Sequence, residues 1–335
     1  MPTTDPLPLA VDLMRVESTS GREGAVVALA ERLLAERGWT VQRIPVSPGR
    51  DDLLATSGRD PVATLSTHLD TVPPYVPPRV EGETLFGRGA CDAKGIAAAM
   101  VCAGERLRGR GVPVALLLVV GEETAHDGAH AANASPLRPP TARVLIDGEP
   151  TESTLAVGTK GALRFTLRTR GRAAHSAYPH LGDSATARLV RLLSELDGLA
   201  LPADPLLGAT TVHVGMLAGG VADNVIAPWA EARLMARLVT SPESALELFT
   251  RWVDGRAEVE PGVSVPPVRL GVVPGFATSV AAFATDIPAL GAWGAPFLFG
   301  PGSIHVAHTD DEHVPIAELR AAVDAYERLV VGAVG

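Results

Sequence analysis

"STHLDTVPP", residues 66–74, closes an apolar run that begins near Val62 and breaks into a proline-dense turn. It sets His68 and Asp70 one residue apart, and alternation along a strand sends residues i and i+2 to the same face. An imidazole and a carboxylate presented together at a strand end suit a metal-binding histidine with its own orienting carboxylate. A structural His-x-Asp pair reads the same way locally, so the rest of the chain has to decide between them.

Four more stretches share this character: "GRGACDAKG" (87–95) with Asp92, "VVGEETAHDG" (119–128) with Glu122 and Glu123, "LIDGEPT" (145–151) with Asp147 and Glu149, and "GSIHVAHTDDEHV" (302–314) with His305 and His308. Each places acids or imidazoles at the end of an apolar strand or in a glycine-rich loop. In an open α/β sheet such strand ends converge on one crevice. Imidazoles and carboxylates without a cysteine ligand suit zinc, cobalt or manganese. A pair of divalent ions needs one bridging carboxylate and about two further ligands each. His68, Asp92, Glu123, Glu149 and His308 supply that set, with Asp70 behind His68. Neighbours in an extended segment point opposite ways, so Glu122 and Glu123 take different roles: one binds metal, the other accepts a proton from water.

The surrounding pattern is α/β. Residues 22–37 carry apolar side chains at helical spacing and end at Gly38, a C-cap residue. "WTVQRIPV" reads as a strand, "AKGIAAAMVCAGERLRGRG" as a helix, and the run from Val114 to Val120 as a strand buried on both faces. Near residue 159 the pattern changes. "LRFTLRTRG", "TTVHVGMLAGG" and "WAEARLMARLV" read as strands with one solvated face, and "DSATARLVRLLSELDGL" and "PESALELFTRWVDG" as amphipathic helices. After about residue 272 the chain turns apolar and glycine-rich again and closes on the helix "PIAELRAAVDAYERLVVG". The expectation is a two-domain α/β protein: residues 1–158 and 272–335 form one domain, into which 159–271 are inserted as a smaller α+β domain.

At 335 residues the chain is long enough for two cores, and 46% hydrophobic with 20% charged residues fits a folded protein. A net charge of −9 without a basic cluster argues against nucleic acid as a partner. No stretch approaches the roughly 18 to 20 uncharged apolar residues of a membrane span. "MPTTDPLPLAVDLMRVES" lacks a basic segment followed by a long apolar core, so no signal peptide is expected. Cys91 and Cys102 are the only cysteines, compatible with a reducing, cytoplasmic setting. The only lysines, Lys94 and Lys160, lie beside glycines, and their role stays open.

The ordered set HLDTVP, GRGACDAKG, GEET, GEPT and AHTDDEHV resembles the dinuclear metallohydrolases of metallopeptidase family 20. Acetylornithine deacetylase, succinyl-diaminopimelate desuccinylase, carboxypeptidase G and aminoacylase belong to that family. The resemblance covers nearly the whole chain. It implies an α/β metallohydrolase catalytic domain with an inserted ferredoxin-like dimerisation or lid domain. It also implies two divalent ions, zinc first, with cobalt or manganese as alternatives. His68 and Glu149 would hold one ion, Glu123 and His308 the other, with Asp92 bridging them and Asp70 orienting His68. Glu122 would be the general base.

In "GRAAHSAYPHLGDSA" (171–185) the resemblance names His175 as an oxyanion-stabilising histidine reaching a partner subunit's site, hence a homodimer. In "GGVADNVIAPWAEARLMAR" (219–237) it names Asn224 and Arg237 as substrate-binding residues. The chain departs from the family pattern there at Ala227 and Ala236. His126, His130, His180 and His305 are read as structural or supporting, and "GPGS" (300–303) either as a carboxylate-binding turn or as a simple turn.

The implied reaction is removal of an acyl group from an N-acyl amino acid, as in acetylornithine deacetylase and arginine biosynthesis. Alternatives are a carboxypeptidase or dipeptidase, a hydrolase releasing lysine or ornithine from an amino-group carrier protein, a two-metal phosphoesterase, and a non-catalytic descendant.

Overall fold

The computed structural model describes residues 5–335; the first four residues of the stretch read for a signal peptide lie outside the described residues. The chain forms two compact units. The first is the chain up to Val157 with Arg269–Ser279 and Thr285–Gly335; the second is Gly158–Val268 with Val280–Ala284.

The first unit is built on six strands in the order Thr40–Ser47, Arg50–Thr56, Val114–Val119, Ala63–His68, Val144–Asp147, Ala295–Leu298. The first two pairings are antiparallel and the other three parallel. Val114–Val119 sits inside the sheet and is buried along its whole length. Leu116 and Leu118 join the larger core, while Ala115, Leu117 and Val119 join a smaller core on the opposite face. That alternation requires cover on both sides. Helices Pro6–Met14, Gly24–Glu36, Lys94–Gly109 and Ile316–Val334 contribute to the larger core, and Asp127–Ala134 to the smaller.

Because the central strands are parallel, their carboxyl ends fall at one edge. His68 stands opposite Val119, and Ser66 opposite Asp147. The loops that leave this edge carry Asp70, Glu122, Glu123, Glu149 and, after Leu298, His308. Arg50–Thr56 is a strand absent from the sequence reading. Its charged start, Arg50-Asp51-Asp52, hides it, yet Asp52 is buried and accepts the Val120 backbone N–H.

In the second unit the order is strand, helix, strand, strand, helix, strand. Gly161–Arg170, Thr211–Gly219, Trp229–Leu238 and Glu258–Val265 make an antiparallel sheet, with Ala185–Leu193 and Pro242–Val253 packed on one face. The spatial order, with the second strand at one edge and the fourth at the other, is that of a ferredoxin-like βαββαβ unit. The fourth strand was not legible because Pro261 and Gly262 interrupt its alternation; the register shifts between Pro261 and Ser264.

No helix among the described residues is long and apolar enough to cross a membrane. Both cysteines are free and buried. The two lysines tether the backbone: Lys94 donates to the Val16 carbonyl (2.7 Å) and Lys160 to that of Ala209 (2.6 Å).

Leu116→Ala empties a fully buried position and is expected to lower unfolding free energy by about 2–5 kcal/mol in urea titration. Val80→Ala, at a site 50% exposed on the short strand Arg79–Glu81, is expected to change it by no more than about 0.5 kcal/mol. Equal losses would contradict the placement of these strands.

Candidate metal centre

His68 is the last residue of its strand and is fully buried. Its Nδ1–H donates to the main-chain carbonyl of Asp70 (2.9 Å), so the neutral ring carries its lone pair on Nε2. That nitrogen faces Asp92 Oδ1 at 3.0 Å and Glu149 Oε1 at 3.8 Å. An acceptor facing acceptors at such distances needs a positive charge between them, supplied by a proton or a metal ion. The other Asp92 oxygen, Oδ2, lies 3.1 Å from His308 Nε2, which is also 3.0 Å from Glu123. Asp92 is therefore shared between two imidazoles, with one further carboxylate beyond each.

The electrostatics point the same way. Burial alone would lower the His68 pKa, yet Asp70, Asp92 and Glu149 raise it well above the ordinary imidazole value. Asp92 and Glu123 raise His308 to about 10. Burial opposes ionisation of Asp92, but His308 and His68 hold it below the usual carboxylate range. Burial first, then Glu122, pushes Glu149 well up. Buried anions that draw protons onto two imidazoles form a site short of positive charge, and the donor types fit a pair of divalent ions.

Asp70 takes a different position from the one its spacing suggests. Its carboxylate is 3.6 Å from His68 Nδ1, too far for a hydrogen bond; the carbonyl makes that contact. The carboxylate instead accepts the backbone N–H groups of Glu122 (3.1 Å) and Glu123 (3.2 Å) and the Ser20 hydroxyl (2.7 Å). It thus links the His68 strand end to the paired glutamates. Those glutamates lie in a turn rather than an extended segment. Gly121, at φ +77°, lets the chain reverse, and a Cβ there would collide with the Asp127 carboxylate.

The roles still separate within the turn. Glu123 reaches His308, while Glu122 has one atom within 4.8 Å of donor atoms on both His68 and Glu149. Burial foremost, with Asp286, Glu123 and Asp70 adding to it against His68, raises Glu122 well above the ordinary glutamate value.

Glu312, not singled out in the sequence, organises the Asp92 loop. One of its oxygens accepts N–H groups of Gly89 (2.9 Å), Cys91 (3.3 Å) and Asp92 (3.2 Å), and the other pairs with buried Arg88 (2.7 Å). Its signal was its place in "AHTDDEHV", four residues after His308. The amides of the "GPGS" turn are engaged internally: Gly300 donates to Thr151 and Gly302 to Glu318.

The remaining candidates belong to the second unit. His175 is exposed; its Nδ1 accepts the Ala177 N–H (3.1 Å), so a neutral ring presents Nε2–H outward. The Asn224 carbonyl accepts the Ser176 N–H (2.9 Å). Arg237 is half-buried on Trp229–Leu238, opposite Thr211, and no ion-pair partner for it occurs among the described residues. Burial and the like charge of Arg164 lower its pKa.

Sheet, strand-end donors and shared carboxylate together describe a centre suited to divalent ions, of the kind that metal-dependent hydrolases of amide or peptide bonds use. A family model described as "Peptidase family M20/M25/M40" matches residues 64–331. The chain belongs to that family.

It is 36% identical over 374 residues to a protein of Aspergillus fumigatus named "Probable carboxypeptidase", covering 96% of this chain and 85% of that one. A tripeptidase from Staphylococcus aureus has a similar structure, with a TM-score of 0.84 at 21% identity over 98% of each chain. So does a Bacillus subtilis protein described as a dinuclear metal binding peptidase of the M20 family, with a TM-score of 0.75 at 16% identity over 99% of this chain and 98% of that one.

Glu312→Ala would leave Arg88 buried without its counter-ion and three loop N–H groups unpaired. It is expected to cost about 3–5 kcal/mol in chemical denaturation and to weaken zinc binding in titration calorimetry. Unchanged metal affinity would contradict a role for Glu312 in holding Asp92.

Proposed function

We propose that the protein hydrolyses the amide that joins an acyl group to an amino acid with a free carboxylate, with a short peptide as the first substrate class. It would then work as a carboxypeptidase or dipeptidase. The observation that carries this reading is the Asp92 carboxylate divided between His68 and His308, with Glu122 beside it. The name of the 36% identical relative supports the peptide form. Removal of a small acyl group from an N-acyl amino acid, as in an acetylornithine deacetylase, is the second reading. It differs only on the acyl side of the same bond, and the "GEPT" and "AHTDDEHV" forms favour it.

In this reading His68, Glu149 and Asp92 would hold one ion, and Asp92, Glu123 and His308 the other, with zinc ahead of cobalt or manganese. Bound there, the ions would supply Lewis acidity toward the carbonyl oxygen and would make water acidic enough to lose a proton near neutral pH. Glu122 would take a proton from the attacking water on its carboxylate and later give it to the leaving amine. Asp70 fixes both the tautomer of His68, through its carbonyl, and the turn that carries Glu122, through its carboxylate.

His175 of the partner subunit would donate Nε2–H to the developing oxyanion. Asn224 and the unpaired Arg237 would receive the substrate's acyl oxygen and carboxylate. Residues 159–271 would serve as the dimerisation or lid domain. The exposed Met216 and Leu217 on the edge strand Thr211–Gly219 support pairing with a second copy. The free cysteines support a cytoplasmic setting.

Protein stripped of metal and reloaded with zinc or cobalt is expected to release free amino acid from a panel of dipeptides, tripeptides and N-acyl amino acids. Glu122→Gln is expected to lower kcat by about 10²- to 10⁴-fold with metal content and melting temperature unchanged. Full turnover in Glu122→Gln would remove Glu122 from the role. Silence of the whole panel with metal bound would remove the small-substrate reading.

A further inference from the structure

Beside the two donor groups that Asp92 joins lies a third, made of Glu122, His126 and Asp286, with one atom of each within 4.8 Å of the others. His126 Nδ1 is 2.8 Å from Asp286 Oδ1 and 3.9 Å from Glu122 Oε1. Neither His126 nor Asp286 belongs to the set that Asp92 links. The Glu122 carboxylate has no other ion-pair contact within 4.0 Å among the described residues.

The histidine is held from several directions. Its backbone N–H donates to the Gly121 carbonyl (2.9 Å), closing the turn that carries Glu122 and Glu123. Its own carbonyl accepts the His130 N–H (3.0 Å) in the helix that follows. It sits at φ +55°, a left-handed conformation uncommon for a residue with a Cβ, at the turn that precedes the helix.

Asp286 arrives from 160 residues further along the chain and is almost fully buried, at the start of the short helix Ile287–Leu290. A carboxylate in that place accepts the Nδ1–H and sets the plane of the ring. The same nitrogen lies 3.9 Å from Glu122 Oε1, so the ring, held by Asp286, stands against the glutamate without a hydrogen bond to it.

We propose that His126, oriented by Asp286, is a positioning residue for Glu122. It confines the carboxylate to the rotamer from which it takes and returns the proton. The inference rests on the reading of Glu122 as the base. It predicts an effect on turnover and none on substrate binding, because His126 and Asp286 act through Glu122.

The test is steady-state kinetics on zinc-loaded His126→Ala, His126→Asn and Asp286→Asn proteins, alone and combined with Glu122→Gln, with metal content and melting temperature measured on each. His126→Ala is expected to lower kcat about 10- to 100-fold with KM within about twofold. His126→Asn keeps an N–H donor near the Nδ1 position and is expected to recover most of the loss. Asp286→Asn supplies the same comparison if His126→Ala does not fold. In the Glu122→Gln background either change is expected to cost nothing further, since the group it positions is gone.

Wild-type kcat in both His126→Ala and Asp286→Asn alongside an inactive Glu122→Gln would overturn the inference and leave the base intact. A loss carried in KM, or losses that add to that of Glu122→Gln, would also overturn it. Activity surviving Glu122→Gln would instead overturn the reading on which it rests.

Discussion

The contact between His68 and Asp92 is the one on which the rest of the centre depends. His68 spends its only neutral-state N–H on the Asp70 carbonyl, so a lone pair and a carboxylate oxygen face each other at 3.0 Å inside the protein. Such an arrangement is stable only with a positive charge between the two. The second Asp92 oxygen lies 3.1 Å from His308 Nε2, where a neutral ring can still donate its own N–H, so that contact admits a cation without requiring one. A buried carboxylate set between two imidazoles, with a further carboxylate beyond each, is a donor set that suits cations, and the scaffold holds those groups in place.

That scaffold works through backbone amides. Glu312 gathers three N–H groups of the loop bearing Asp92, and Asp70 gathers those of Glu122 and Glu123. Both acids are fully buried. Each fixes a peptide segment instead of a side chain, and this limits how far the donor groups can relax away from one another. Parallel strand pairing does the coarse work by bringing the ends at His68, Val119 and Asp147 to one edge. The carboxylates then set the fine geometry.

Much of this was legible because chemistry follows hydrophobic runs in the sequence. Apolar strands that end in His, Glu or Asp announce both the sheet and the edge where the groups meet. What stayed hidden has physical causes. Arg50–Thr56 opens with charges whose burial becomes reasonable only once Asp52 is seen accepting the Val120 amide. Glu258–Val265 breaks its own alternation at Pro261 and Gly262.

Spacing placed Asp70 behind His68, but it could not say that the carbonyl makes the contact while the carboxylate serves the glutamate turn. Nor could it show that Gly121 turns the chain where an extended segment was expected. Asp286 meets His126 across 160 residues, and nothing local in "TDIP" signals that partnership.

The most direct test of the account is anomalous X-ray scattering at the zinc edge from crystals of the zinc-loaded protein. Two peaks are predicted, one beside His68 and Glu149 and one beside Glu123 and His308, with Asp92 touching both. A single peak, or peaks that do not share Asp92, would contradict the central claim.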